Sequence, residues 1–141
     1  MTQIVFLTGV QDRIALAQRL VRKKVREGGR VCVLGVTPDL RRLSHALWSE
    51  PPLEFLPHVH TRVSPEPVVR ELTPVWLVEQ AVEGLDCDNV INLGVELVDW
   101  TARFERVAEI VGVDDEARAS GRQRWKAYER AGHELLHHAG G

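Results

Sequence analysis

The chain has 141 residues, of which 44% are hydrophobic and 27% are charged. This size suits one domain, and the composition excludes a disordered or collagen-like chain. A formal net charge of −2 excludes a strongly basic nucleic-acid-binding protein, so any basic site must be local. The two cysteines lack CxxC spacing, the first residues carry no basic leader, and no uncharged run approaches the ~20 residues that span a bilayer. We therefore expect a cytoplasmic protein with no disulfide framework and no membrane contact.

The first part of the chain predicts a strand, a helix and a second strand. Ile4–Thr8 and Val31–Val36 are apolar runs without alternation, as expected of strands that are buried on both faces. Between them, Asp12 can cap a helix that extends to about Glu27, where two glycines end it. The side of this helix that we expect to face water carries Arg19, Arg22, Lys23 and Arg26.

A second helix is predicted after the second strand. Thr37 caps it, Pro38 occupies its first position, and it ends near Trp48. Its apolar side is formed by Leu40, Leu43 and Leu47. The segment from Pro51 to Pro74 holds six of the seven prolines, so we expect little regular structure there apart from a short segment near Val68-Val69.

The rest of the chain predicts further strands and a terminal helix. The strand candidates are Val75–Val78, Val90–Leu93 and Phe104–Val111. The acidic residues 114–116 then begin a long helix that we predict to extend to about Leu136. This alternation predicts a single Rossmann-like α/β domain over residues 1–141, with three layers, a mostly parallel central sheet and a long C-terminal helix.

The first loop between a strand and a helix, Thr8–Asp12, lies where many α/β proteins bind a nucleotide. It contains one glycine and neither GxGxxG nor Gly-Lys-Ser/Thr. Without those glycines the backbone cannot approach a phosphate closely. We therefore expect no nucleotide cofactor, and a nucleotide-binding enzyme is the weakest of the alternatives.

The segment His133-Glu134-Leu135-Leu136-His137 matches H-E-x-x-H. On a helix the two histidines can bind zinc while the glutamate acts as a general base. A third ligand would have to come from upstream, because only four residues follow the motif. A zinc-dependent hydrolase is thus an alternative function, and the competing interpretation is a helix end whose histidines face solvent and bind no metal.

Arg118, Arg122, Trp125 and Lys126 form a cationic stripe on the predicted terminal helix. At about 100° per residue they fall within about a third of its circumference. A tryptophan at the edge of the core, flanked by cations, can form an apolar pocket with a positive rim. Such a pocket suits an anionic peptide with a hydrophobic end, notably a C-terminal carboxylate. The alternative is a core tryptophan with solvated arginine neighbours.

A second apolar set follows the second helix. It comprises Trp48, Pro51, Pro52, Leu53, Phe55, Leu56 and Pro57. Prolines keep such a segment rigid, and exposed apolar patches often form protein interfaces. A loop whose aromatic side chains pack back onto the sheet is an equally good interpretation.

Three stretches of the sequence resemble the chi subunit of bacterial DNA polymerase III. His45–His58 is similar to the family's LW…P…FxPH segment. Arg122–Tyr128, followed by Ala131-Gly132, resembles its terminal-helix signature, and Phe104–Val111 resembles the strand before it. The resemblance covers nearly the whole chain.

The resemblance implies a non-catalytic, Rossmann-like replication adaptor without cofactor or metal. Chi proteins join the clamp-loader assembly, usually through the psi subunit. They also hold the acidic C-terminal tail of single-stranded DNA-binding protein, which ends in Ile-Pro-Phe, and so associate indirectly with single-stranded DNA. By this resemblance the tail site comprises Arg118, Arg122, Trp125, Lys126, Val111 and Gly132. The interface with psi or the clamp loader comprises Trp48, Pro51, Pro52, Phe55 and His58. Some relatives carry tyrosine in place of Trp125.

Overall fold

The computed structural model describes residues 2–49, 58–61, 74–79, 87–95 and 104–139. Its strands are β1 (Gln3–Val10), β2 (Val31–Leu34), β3 (His58–Thr61), β4 (Val75–Val78), β5 (Asn89–Asn92), β6 (Arg106–Gly112) and β7 (Glu134–Ala139). Its helices are α1 (Arg13–Arg26), α2 (Thr37–Ser49) and α3 (Asp115–Arg130). The seven strands form one sheet in the order β3-β4-β2-β5-β6-β1-β7, and every pairing is parallel.

Helices cover both faces of this sheet. Side chains of α1 and α2 pack on one face with Val31 and Val33 of β2. Tyr128 of α3 packs on the other face with Cys32 and Leu34 of the same strand. Because both faces are covered, every residue of β2 is buried, which is why its sequence lacks alternation. The predicted α/β fold with a mostly parallel sheet is confirmed.

Both α1 and α3 begin at a capping aspartate, as predicted for α1. The Asp12 carboxylate accepts a hydrogen bond from the Ala15 amide at 3.0 Å, and Asp114 accepts one from the Ala117 amide at 3.1 Å. Each carboxylate satisfies a backbone N–H that has no partner within its helix. After α1, Gly28 adopts a φ of 85°, a left-handed conformation that glycine tolerates best.

The prediction of a helix to about Leu136 is wrong beyond Arg130, because the chain forms β7 there. Gly132 has a φ of 84°, and its amide donates to the Glu129 carbonyl at 3.1 Å, which closes the helix end. The chain then runs beside β1, with Gln3 opposite Glu134. Without β7 the backbone N–H and C=O groups of β1 would lack hydrogen-bond partners on that side. The hydrogen bonds between β1 and β7 therefore stabilise the strand more than further helical turns would stabilise a longer helix.

Arg22 was predicted to face water, but only 7% of it is exposed. The packing of α1 against α2 explains the difference. Gln18, one turn before Arg22, donates a hydrogen bond to the Ala46 carbonyl of α2 at 3.4 Å. This side of α1 is therefore covered by its neighbour.

Two further findings concern the cysteines and the membrane. Cys32 and Cys87 are buried free thiols, and burial, followed by the proximity of Cys87, raises the pKa of Cys32 well above its ordinary value. Over the described ranges, no helix has the length and apolar character needed to cross a membrane.

Candidate functional site

A cavity of about 650 Å³ lies where the carboxyl-terminal parts of β1 and β6 meet α3 and β7. Ligands of parallel α/β proteins commonly bind at this edge of the sheet. The volume is within the range of small-ligand sites. The lining residues are Phe6, Thr8, Gly9, Val111, Val113, Arg118, Gly121, Arg122, Trp125 and His137.

The floor of the cavity is apolar and aromatic. Phe6 is almost fully buried, and the ring of Trp125 meets it edge-on with 5.0 Å between ring centroids. Tyr128 contacts the same phenylalanine at 6.0 Å from behind the floor. Edge-to-face pairs of this kind fix the orientation of the rings. Trp125 is half-buried, so part of its indole remains open to the cavity.

Gly121 brings α3 close to the sheet. A Cβ atom at this position would lie 3.1 Å from Cγ2 and 3.2 Å from Cγ1 of Val111. Any larger residue would force the helix or the valine to move. The close approach brings the part of α3 that carries Arg118 and Arg122 up to Val111 of the cavity.

The rim of the cavity is cationic. Arg118 and Arg122 are exposed and lie one turn apart on α3, about 6 Å along the helix axis. Among the described residues neither arginine takes part in an ion pair. Both guanidinium groups are therefore available to an anion, and the fork of a guanidinium matches a carboxylate.

His137 lines the cavity and is exposed, as expected for the terminal histidines. Its Nε2 lies 2.7 Å from Oγ1 of Thr8, and its ring approaches Trp125 at 6.4 Å between centroids. The hydrogen bond holds the imidazole in place across the sheet edge from the arginines. In an extended segment, alternate residues share a side, so His133, Leu135 and His137 would lie together. The sequence alone predicts a helix here, and this signal could therefore not be used.

A buried polar network fixes α3 on β6. Glu109 is completely buried and accepts hydrogen bonds from Arg124 Nε at 3.1 Å, Tyr128 Oη at 2.5 Å and Asn92 Nδ2 at 3.0 Å. Burial raises the pKa of Glu109, while the charge of Arg124 and the three hydrogen bonds oppose that shift. All three partners donate, so the carboxylate is fully satisfied as an anion, and α3 can sit in only one register.

The predicted tail-site residues are placed as follows. Arg118, Arg122, Trp125 and Val111 line one cavity. Lys126 is exposed on α3 and Gly132 follows its end, and neither lines the cavity. In the second predicted surface, the backbone of Trp48 lies in α2 and that of His58 begins β3. Pro51, Pro52 and Phe55 lie outside the described residues.

The H-E-x-x-H segment does not have the geometry of a zinc protease. It spans the start of β7, where four residues cover about 13 Å, whereas two ligands of one zinc ion must both lie within ~2.1 Å of it. His133 instead contacts Tyr128, and His137 is bonded to Thr8. Within the described ranges, no three His, Cys, Asp or Glu side chains are grouped so that they could hold a metal ion.

Fold and site together define a parallel α/β protein with one cavity that is apolar at its floor and cationic at its rim. Similar solved structures share the fold alone. Domain 2 of the DEAD-box helicase Mss116p, bound to an RNA duplex, superposes with a TM-score of 0.62 at 12% identity, over 99% of this chain and 64% of that one. The C-terminal domain of the Sulfolobus solfataricus SWI2/SNF2 ATPase gives 0.51 at 10% identity, over 84% and 57%.

Sequence comparison identifies the family. The family model described as DNA polymerase III chi subunit, HolC, matches residues 1–136. The DNA polymerase III subunit chi of Pseudomonas aeruginosa is 30% identical over 128 residues, which are 89% of this chain and 85% of that protein. The Escherichia coli K12 subunit is 32% identical over 95 residues, 67% and 62% respectively. The chain therefore belongs to the chi subunit family of DNA polymerase III, a family of replication accessory subunits.

Proposed function

We propose that this chi-family protein is a non-catalytic adaptor in DNA replication. It links the clamp-loader assembly of DNA polymerase III to single-stranded DNA-binding protein by holding the acidic C-terminal tail of that protein. One observation carries the proposal: an apolar floor of Phe6, Val111 and Trp125 lies in the same cavity as the guanidinium groups of Arg118 and Arg122.

The floor suits the last residue of the tail. A terminal phenylalanine can enter the cavity and stack against the indole of Trp125, next to Phe6. Burial of its side chain contributes ~1.5–3 kcal/mol. The cavity has room for the ring and for the proline and isoleucine before it.

The rim suits the carboxylate and the acidic residues of the tail. A charge-assisted hydrogen bond from Arg122 to the terminal carboxylate contributes ~1.5–3 kcal/mol. Each exposed pair between an upstream aspartate and Arg118 or Lys126 adds only ~0.2–1 kcal/mol. The entropy lost on ordering the tail opposes these terms. The balance is binding of roughly micromolar strength, near −8 kcal/mol.

The peptide experiment compares three ligands by calorimetry: the tail peptide, the peptide without its last phenylalanine, and the peptide with an amidated C-terminus. Both altered peptides should bind at least tenfold more weakly, which corresponds to ~1.4 kcal/mol. On the protein, Trp125→Ala or Arg122→Ala should weaken binding, whereas Arg130→Ala, exposed at the end of α3, is the matched control. Indifference to the last residue of the peptide would contradict the proposal.

The second interface of the adaptor is proposed at the end of α2, through Trp48, Pro51, Pro52, Phe55 and His58. A psi subunit or the clamp loader itself is the partner. Truncation of an aromatic anchor commonly costs ~2 kcal/mol or more. Trp48→Ala and Phe55→Ala should therefore reduce co-purification with that partner and leave tail binding intact, with His45→Ala as the control on α2. Normal co-purification of both variants would refute this assignment.

We also propose that residues 1–141 act as one cytoplasmic domain with neither catalytic activity nor a resident metal or cofactor. His137 lies in β7 and His133 directly precedes that strand, so the two residues are about 13 Å apart, which supports this view. Metal analysis of the purified protein should find no stoichiometric zinc, and Glu134→Gln should leave tail binding unchanged. Tightly bound zinc that is lost in His133→Ala would favour the hydrolase instead.

A further inference from the structure

The charges are unevenly divided along the chain. Residues 13–49, which contain α1 and α2, hold nine of the 18 Lys and Arg residues but only two of the 20 Asp and Glu residues. The formal net charge of this segment is +7, and that of the rest of the chain is −9. Because α1 and α2 pack on the face opposite α3, the basic surface lies away from the cavity.

Five exposed cations form this surface, which we call the α1/α2 face. They are Arg19, Lys23 and Arg26 of α1 and Arg41 and Arg42 of α2. The three on α1 span about 10 Å along the helix. The two helices pack side by side, as the bond from Gln18 to Ala46 shows. Over the described ranges no ion pair neutralises Arg19, Lys23, Arg41 or Arg42.

Helix stability does not account for these charges. Cations in the last turn of α1 interact favourably with the helix dipole, but Arg19, Arg41 and Arg42 lie in earlier turns. Like charges one turn apart, such as Arg19 and Lys23, destabilise a helix. Helix stability therefore gives no reason for Arg19, Arg41 and Arg42, and a binding surface for an anion does.

The chemistry of the α1/α2 face favours phosphate over a protein partner. Protein interfaces have an apolar centre, yet the exposed large hydrophobic residues of the described part are Val36, Val113 and Leu136, and none lies within α1 or α2. Surfaces that contact nucleic acid are polar and cationic. Four of the five exposed cations are arginines, whose guanidinium fork matches phosphate oxygens.

We propose that the α1/α2 face binds the phosphate backbone of nucleic acid without sequence preference. The relatives are subunits of a DNA polymerase, so nucleic acid is present where the protein works. Among the side chains that the structure describes in the two helices, no Phe, Tyr or Trp is exposed for base stacking, so the contact is mainly electrostatic. The proposal does not depend on the tail site, which lies on the opposite face.

The test measures binding of labelled oligothymidylate and of a duplex of the same length by fluorescence anisotropy over a series of salt concentrations. For single strands the slope of log K against log salt should be about −0.7 for each phosphate contact, and about −0.9 for duplex. Arg19→Glu and Arg41→Glu should each weaken binding and make the slope shallower by about one contact. Arg130→Glu makes the same charge change on the other face and should leave the slope unchanged. Arg19→Gln and Arg41→Gln serve as milder variants that preserve the helices.

Several outcomes would overturn the proposal. These are no binding to either nucleic acid at low salt, binding whose strength does not depend on salt, or an equal effect of Arg41→Glu and Arg130→Glu. If the α1/α2 variants weaken binding of polyglutamate but not of nucleic acid, the face belongs to an acidic protein. Tighter binding of the single strand or of the duplex at the same salt concentration identifies which of the two supplies the phosphates.

Discussion

Trp125 connects three parts of the molecule. Its ring meets Phe6 of β1 at 5.0 Å and His137 of β7 at 6.4 Å, and its open side lines the cavity. An indole held on two sides presents a rigid surface, so little side-chain entropy is lost when a ligand binds. The position of this residue at the edge of the core could be predicted, because helical spacing alone places it between an apolar and a cationic side.

His137 provides a residue-scale prediction. Its imidazole is held by Thr8 at the cavity and offers a hydrogen bond to a bound carboxylate. His137→Ala should weaken binding of the tail peptide by about 1 kcal/mol, the net value of one hydrogen bond. His138 is the matched control, because the next residue of a strand points to the opposite side. Equal calorimetric affinities for His137→Ala and His138→Ala would show that the imidazole has no part in the site.

Tyr128 gives a pH prediction, since it is the only tyrosine in the chain. Burial, and then the charge of Glu109, raise its pKa far above the ordinary value. The folded state keeps the phenolic proton, whereas the unfolded chain loses it near pH 10. The buried Tyr128 phenol therefore contributes its full share to the free energy of unfolding below about pH 10. Above pH 10 this contribution falls by up to ~1.4 kcal/mol for each pH unit.

Phenolate absorbance measures the titration of Tyr128 directly. We expect the phenolate band to appear together with loss of native tryptophan fluorescence as pH rises, and the loss of stability above pH 10 to be smaller in Tyr128→Phe. A phenolate that titrates near pH 10 in the folded protein would show that the phenol is not buried against Glu109.

The network around Glu109 could not be predicted from the sequence. A single carboxylate in an apolar strand is ordinarily assigned to an exposed position. Its partners Arg124 and Tyr128 are 15 and 19 residues further on, and Asn92 is 17 residues earlier. Only the packing of α3 on β6 brings them together, and helical periodicity carries no information about which strand lies beneath the helix.

At the scale of elements, the distance between α3 and β6 sets the depth of the cavity. Val111 is buried and β-branched, so its χ1 angle cannot easily adjust to a Cβ at Gly121. An alanine for glycine in a helix normally stabilises it by about 1 kcal/mol. Here we expect Gly121→Ala to lower the free energy of unfolding, because overpacking costs ~1–3 kcal/mol.

A double variant, Val111→Ala with Gly121→Ala, tests the same contact between α3 and β6. In a Val111→Ala background the clash is removed, so Gly121→Ala should raise the free energy of unfolding measured by urea denaturation. The sign of the effect should thus reverse between the two backgrounds. Stabilisation in both backgrounds would mean that α3 lies further from β6 than the structure has it.

The elements differ in how well their sequence predicts them. β1, β2 and α1 follow from local signals, namely apolar runs, a capping aspartate and a pair of glycines. β7 does not, because residues 134–139 have no buried run, and five of the six are exposed. Its conformation comes from pairing with β1, a contact with residues more than 120 positions away.

At the scale of the whole molecule, the tail cavity is well separated from the other two proposed partner sites. β3, where His58 lies, is five strand spacings from β1 at the cavity, which is about 24 Å. The α1/α2 face lies on the other side of the sheet from α3. The tail cavity can therefore be occupied while a partner is bound at either of the other two proposed surfaces, which share α2.

The central claim is that the cavity beside Trp125 holds the end of the tail, and a crystal structure of the protein with the tail peptide tests it most directly. We predict the terminal phenylalanine ring against Phe6 and Trp125, and its carboxylate within hydrogen-bonding distance of Arg122 or His137. Density for the peptide on the α1/α2 face, with the cavity filled only by solvent, would contradict the account.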